Sequence, residues 1–472
     1  MHNSTWTTCT RTDSRLMEGR RFCFIARTSR RMKHLLEIAC LAAVLVSAPY
    51  LAAAEFIAGI GTHVTSTQGL DLIRDAKIAW LRDDILWADV EREHGVYVMP
   101  KRYDDYVNQA LQRGIKPLLI LCYGNKLYDG GSYPVSDEAI EAYIKFAEFV
   151  VTHFKDRVQL FEVWNEWNYG IGMPAGTPAG EASVYTALLN KVYPRLKALD
   201  ANLTIIGGVL SGNGVDSGWL ESACKAGLLE HLDALSFHPY CYGETGDERI
   251  PEKGLLKRIH DSREVTRKYQ QRELPVYLTE IGWPNHTGKS GSTLDESACY
   301  LARSFILART QPFIKGLWWY DFRDDGARDP SDAEHNYGIV TNDLTPKPAY
   351  YVMRDVERLF SDTEFAGEVL ANPSLRILKF RKSSDEMFFV AWSLNSDEWE
   401  VSLESVDKDQ PAPAHLTALG RDGISRSWEP NGEQWHLPVT LSGMPCVLET
   451  GLQKIEVNWH RVKTNSAHAS AH

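Results

Sequence analysis

The chain has 472 residues, of which 44% are hydrophobic and 24% charged, and its formal net charge is -11. That length exceeds one ordinary core and implies two or more folding units. The acidic balance excludes a nucleic-acid backbone or an anionic membrane as main partner and leaves a neutral substrate as the easier match.

Residues 1–54 read as an N-terminal extension that ends in a secretory signal. They carry eight Lys/Arg against three Asp/Glu, so the remainder holds a net charge of -16. The basic RRMKH (30–34) precedes an apolar run from Ile38 to Val46, interrupted only by Cys40. Ala52, Ala53 and Ala54 then lead into Glu55, which completes the basic, apolar, small-residue layout of an export signal. The apolar run is shorter than the roughly 20 residues of a membrane-spanning helix. A secreted or periplasmic protein without a stable membrane span is the expectation. Removal of the signal leaves Cys122, Cys224, Cys241, Cys299 and Cys446. No CxxC or Cys/His metal spacing occurs among them; one or two bridges and buried reduced thiols are both open readings.

From Ile57 onward, apolar runs alternate with helical patterns. The predicted strands cover 57–64, 78–87, 116–124, 158–168, 204–212, 232–240, 276–283 and 314–322. Predicted helices cover 137–154, 182–199, 294–309 and 347–360, and the connection after the second strand has no clear pattern. Runs apolar on both faces mark fully buried parallel strands. Eight of them, each followed by a helix-like connection, predict a (β/α)8 TIM barrel over 55–365. The competing doubly wound sheet needs a glycine-rich first turn, and GIGTH (59–63) supplies only G-x-G. Past Phe360 the texture changes to short β-like runs broken by Asn, Asp, Gly and Pro. These predict a small C-terminal antiparallel β-sandwich domain over 366–460. Residues 461–472 read as a disordered tail.

In such a barrel, functional groups collect at the C-terminal ends of the strands. There the sequence places Arg82, Asp83, Asp84 and Trp87 on the second strand and Asn165-Glu166 on the fourth. His238-Pro239-Tyr240 follows the sixth, Glu280 ends the seventh before Trp283, and Trp318-Trp319 ends the eighth. Two carboxyl groups facing each other across the mouth push their pKa values apart, so one donates a proton while the other stays ionised. Glycoside cleavage requires that division of labour. Glu162, four residues before Glu166, reads as a scaffold pairing. Trp87, Tyr123, Trp167, Tyr169, Tyr242 and Trp318 are candidate outer sugar subsites.

WNEWN (164–168) and LTEIGWP (278–284) resemble the two catalytic strand ends of the retaining glycoside hydrolases of clan A. The chain looks most like family 39 enzymes, especially bacterial endoglycosidases acting on exopolysaccharide, with family 5 as the close alternative. The resemblance implies Glu166 as acid/base and Glu280 as nucleophile. It implies that Arg82 and Tyr240 attend the nucleophile and that His238 lines the site. It also implies that Asn165 binds the sugar 2-hydroxyl, and that Trp319, with Trp283, offers an aromatic floor. The expected activity is a secreted retaining β-glycosidase, endo-acting on a polysaccharide or oligosaccharide. No cofactor and no metal are expected, and a monomer is.

A carbohydrate-binding protein on an inactive barrel is the alternative. A serine esterase is excluded by the lack of G-x-S-x-G. The acidic stretch RDDGARDPSDAEH (323–335) matches no calcium loop and reads as a solvated loop.

Overall fold

The computed structural model describes residues 56–326, 329–394, 399–405, 414–420, 425–428, 437–450 and 455–461. The extension and signal expected over 1–54 and the tail expected beyond 461 lie outside these residues. Among the described residues, no helix is long and apolar enough to cross a membrane.

Eight parallel strands close into a barrel. They are β1 (Ile57–Gly61), β2 (Trp80–Leu86), β3 (Lys116–Cys122), β4 (Leu160–Val163), β5 (Thr204–Leu210), β6 (Ala234–Phe237), β7 (Val276–Ile281) and β8 (Ile314–Trp319). The last strand pairs with the first through contacts such as Ile60 with Trp319. A helix follows every strand: α1 (Thr67–Asp75), α2 (Lys101–Gln112), α3 (Asp137–His153), α4 (Ala182–Leu199), α5 (Trp219–Lys225), α6 (Leu256–Arg267), α7 (Leu294–Arg309) and α8 (Pro348–Phe360). The three longest match the predicted segments because each carries an apolar stripe, and two of them begin at a capping signal. Ser136 caps α3 through Ala139 N, and Thr293 with Glu296 forms a capping box on α7. The unclear connection after β2 holds a short helix, Trp87–Val90, a small hairpin, and then α2.

The period-two alternation of the strands sorts side chains between barrel interior and helix layer. Leu118, Ile120, Cys122, Leu160, Ile206, Ala234 and Trp318 form the interior cluster. Their chain neighbours Leu119, Leu121, Phe161, Leu235, Leu317 and Trp319 join the large core beneath the helices. Trp318 fits inside because Gly59 has no side chain: a Cβ there would lie 2.3 Å from the indole. All five cysteines of the body are unbridged, and four of them are buried.

Every strand ladder stops short of the apolar run that announces it. The fourth run, 158–168, contributes only Leu160–Val163 to the sheet. Beyond it the backbone turns left-handed at Trp164 (φ 70°) and Glu166 (φ 45°). Such conformations cost a side-chain-bearing residue on the order of 1 kcal/mol or more and persist where the surroundings enforce them. Here the Glu166 amide donates to Val209 O at 2.8 Å, which ties the mouth of β4 to β5.

The C-terminal region is a two-sheet antiparallel sandwich. The larger sheet contains, in chain order, β9 (Thr363–Ala371), β10 (Leu375–Lys382), β11 (Met387–Ser393), β13 (Ala414–Ala418), β14 (Ser425–Trp428) and β16 (Cys446–Thr450). The smaller has β12 (Trp399–Ser405) between β15 (Leu437–Leu441) and β17 (Ile455–Arg461). One face of the larger sheet, with Ile377, Phe389 and Leu448, packs with Leu441 and Trp399. The opposite face, with Leu378, Phe380, Phe388, Val390 and Trp392, joins the barrel core.

A polar seam locks the two regions. Buried Arg303 of α7 donates to Ser393 O (2.6 Å) and Gly443 O (2.9 Å) and lies 3.7 Å from Glu252. The Trp392 indole donates to Glu252 at 2.6 Å.

Candidate active site

The C-terminal mouth of the barrel holds a cavity of about 510 Å³. Its floor is a network centred on Arg82 of β2. The guanidinium donates from Nε to Glu162 Oε2 (2.6 Å), from Nη1 to Glu280 Oε1 (2.6 Å) and from Nη2 to Asn165 Oδ1 (2.9 Å). Burial disfavours its charge, but Glu162 and Glu280 more than compensate and hold the group firmly protonated. Glu162 is the residue that anchors Arg82 from below. Its inward direction follows from its two-residue offset from Leu160, which lies in the barrel interior.

Glu280 receives a second hydrogen bond on Oε2, from Tyr240 Oη at 2.9 Å. Burial pushes its carboxyl up. The charges of His238 and Arg82, with the hydrogen bonds from Arg82 and Tyr240, pull it down further, and the net position is below the ordinary glutamate value. Across the mouth, Glu166 Oε1 lies 2.8 Å from His238 Nδ1. The other imidazole nitrogen, Nε2, is 3.1 Å from Thr279 Oγ1. With the Glu166 carboxylate as acceptor, Nδ1 carries a hydrogen. Single atoms of Glu166, His238 and Glu280 all lie within 4.8 Å of one another. By donor type these three atoms would suit a divalent ion. Arg82 and Tyr240 already donate to both Glu280 oxygens, and a guanidinium at 2.6 Å opposes a second cation.

Asn165 is engaged at both ends: its oxygen accepts from Arg82, and its nitrogen donates to Tyr123 Oη at 2.9 Å. One amide hydrogen remains for a ligand. The structure thus brings Arg82, Asn165, Glu166, Tyr240 and Glu280 to one cavity, with His238 buried directly behind the two glutamates.

The expected tryptophan floor is corrected. Trp283 and Trp319 are both 0% exposed and stack on each other with centroids 5.8 Å apart. Neither lines the cavity. Trp87, Trp167 and Trp318 are buried as well. Alternation along β8 is the reason. Trp318 points into the barrel and Trp319 toward the helices, which leaves Tyr320, just past the strand, at the mouth. Among the described residues the aromatic lining is entirely tyrosine: Tyr123, Tyr169, Tyr240, Tyr242, Tyr320 and Tyr337. Tyr320 and Tyr337 meet edge to face at 5.1 Å, and Tyr240 and Tyr242 complete the wall.

Two acidic lining residues were given no site role from the sequence. Asp84 faces inward two positions after Arg82, and burial raises its carboxyl against the pull of Arg82. Glu334 comes from the acidic loop, and its carboxyl is raised by burial and by the charge of Glu280. Parity with Arg82 was a usable signal for Asp84; nothing local marks Glu334.

No protein-family model matches the chain, and no curated protein does. Solved structures do. The chain is similar to a family 39 glycoside hydrolase from the gut symbiont Bacteroides cellulosilyticus WH2, at 26% identity and TM-score 0.69, over 84% of this chain and 81% of that one. The chain is a family 39-like glycoside hydrolase. Two further structures share the fold of this glycosidase. One is a monomeric β-xylosidase from Caulobacter crescentus CB15, with 15% identity, TM-score 0.59 and coverage of 85% and 97% of the two chains. The other is a family 5 enzyme from Streptomyces cattleya, with 13% identity, TM-score 0.53 and coverage of 65% and 80%.

Proposed function

We propose that the protein is an exported, retaining β-glycosidase that cleaves within a polysaccharide by double displacement. The observation that carries this reading is the pair of carboxylates, Glu166 and Glu280, with one oxygen of each within 4.8 Å of the other. Double displacement works with carboxyl groups about 5–5.5 Å apart, whereas inversion needs roughly 6.5–9.5 Å to admit a water.

The two glutamates are differently equipped. Glu280 is held ionised by Arg82 and Tyr240 and is the nucleophile. It attacks the anomeric carbon and forms a glycosyl-enzyme ester. Glu166 protonates the departing oxygen, then takes a proton from the water that hydrolyses the ester. His238 fixes the Glu166 carboxyl without touching sugar. The free Asn165 hydrogen addresses the 2-hydroxyl, where a hydrogen bond strengthens as oxocarbenium character grows.

Endo-action is supported by the extent of the tyrosine lining. It runs from Tyr240 beside Glu280 out to Tyr169, which is 61% exposed. Tyrosine rings stack on the apolar faces of pyranoses, and several along one cleft suit several sugar units. Exo-action, as the name of the β-xylosidase neighbour suggests for that enzyme, is the competing mode. Export is supported by the N-terminal basic and apolar run.

Proton NMR of the first-formed product from an aryl β-glycoside tests the stereochemistry; an α-anomer formed first would sink double displacement. Glu280→Gln is expected to lower kcat by at least about 10³-fold on every substrate. Glu166→Gln should lose far less activity on nitrophenyl glycosides, whose leaving group needs little protonation, than on natural glycans, and azide, which needs no general base, should restore the ester-cleaving step. Product sizes from a panel of exopolysaccharides and plant β-glycans separate endo- from exo-action. Zero turnover across that panel, with glycan binding unchanged in Glu280→Gln, would favour a binding protein instead.

A further inference from the structure

We propose a cation site built from His63, Thr65, Asp321 and Asp325, beside the cleft and distinct from the Glu166–Glu280 pair, that takes a zinc-class divalent metal. Three donor atoms converge there. His63 Nε2 lies 3.7 Å from Asp321 Oδ2 and 3.5 Å from Asp325 Oδ2. All three mutual separations are within 4.8 Å. Tetrahedral bonds of about 2.0–2.1 Å place neighbouring ligand atoms roughly 3.3–3.4 Å apart, so a small inward shift closes the set.

Two independent observations point to an occupant. The Asp321 side chain is only 3% exposed, yet its Oδ1 has no hydrogen-bond partner. The buried hydroxyl of Thr65 is likewise unpartnered. Both residues line one small void together with His63 and Asp325, and Arg323 shares the lining. The void measures about 10 Å³, at the lower limit of what holds a single water-sized sphere. A buried carboxylate oxygen without a partner is costly, and a coordinated cation removes that cost. Lys347 is bonded to Asp324 at 2.7 Å; its charge reaches Asp321 but it gives Asp321 Oδ1 no hydrogen bond.

The donor types select the metal. One imidazole with two carboxylates suits zinc or manganese, while calcium and magnesium favour all-oxygen sets. Bound there, the ion ties the turn after β1 to the end of β8, one residue from Tyr320. His63 already meets the Tyr320 ring edge-on at 5.8 Å.

The test uses the full chain, stripped with EDTA and titrated with ZnCl2 by calorimetry, with CaCl2 and MgCl2 as controls. About one zinc per chain is expected. Binding should weaken at least tenfold in His63→Ala and in Asp325→Asn. These side chains are 42% and 34% exposed, so their loss is compatible with folding. Thr65→Val should weaken binding less, and Glu280→Gln should leave it unchanged. The unfolding midpoint should rise with zinc in the parent and not in Asp325→Asn. Substoichiometric zinc in the parent, binding that survives His63→Ala, or binding lost in Glu280→Gln would each overturn the site.

Discussion

Two buried arginines on this barrel do opposite jobs. Arg82 and Arg303 have side chains equally hidden, each 4% exposed. Arg82 meets three side-chain acceptors, two of them carboxylates. Arg303 meets two backbone carbonyls at short range and stands 3.7 Å from one carboxylate. Backbone carbonyls fix one fold to another and have no chemistry to offer. Carboxylates in the same position become reagents whose charge the arginine sets. The difference lies in what accepts the hydrogen bonds, not in the arginine.

That contrast can be broken most forcefully at Arg82. Arg82→Met strands Glu162 and Glu280 without their cation. It is expected to cost about 3–5 kcal/mol of stability and to lower kcat/KM by at least about 10²-fold. Urea unfolding alongside steady-state rates on an aryl glycoside reads both. A loss of stability with normal kcat/KM would make Arg82 merely structural.

Arg303→Met should cost about 3 kcal/mol by taking the donor from two backbone carbonyls and the nearby cation from buried Glu252. Its kcat/KM per folded molecule should match the parent. A tenfold loss of kcat/KM would show that the seam reaches the site, and the contrast would fail.

The smallest effect sharpens the Arg82 side. Tyr240→Phe removes one hydrogen bond from Glu280 and should lower kcat/KM about tenfold. Because the Glu280 carboxyl sits below its ordinary value, activity should persist on the acid side below about pH 4.3. The same depression contributes stability that is full above the unfolded glutamate value and fades as pH falls through the folded one. In Tyr240→Phe the acid limb of kcat/KM should move upward. An unmoved limb would mean that Tyr240 serves only packing.

Much of this site was legible beforehand, for reasons that differ by residue. Glu166 and Glu280 sit in short motifs at the ends of apolar strands, where chain order and period-two alternation limit where they can point. Arg82, His238, Tyr240 and Asn165 were legible in the same way. Glu162 was read as a pairing, but its partner was not. That partner, Arg82, is 80 residues away in sequence and adjacent only once β2, β3 and β4 share a sheet. The tryptophans misled because an aromatic at a strand end is equally well placed on either face. One residue of offset sends Trp319 into the core and Tyr320 into the cleft.

By itself, then, the sequence determined the barrel, the appended sandwich and the two facing glutamates, because apolar periodicity and local motifs are properties of consecutive residues. Only the tertiary structure decided which aromatics meet the cleft, which carboxylate holds Arg82, and that Thr65, Asp321, Asp325 and His63 share one void. The last of these depends on barrel closure, which brings β8 against β1 and sets residues more than 250 positions apart within a few ångströms; the others depend on which strands neighbour and which face each residue takes.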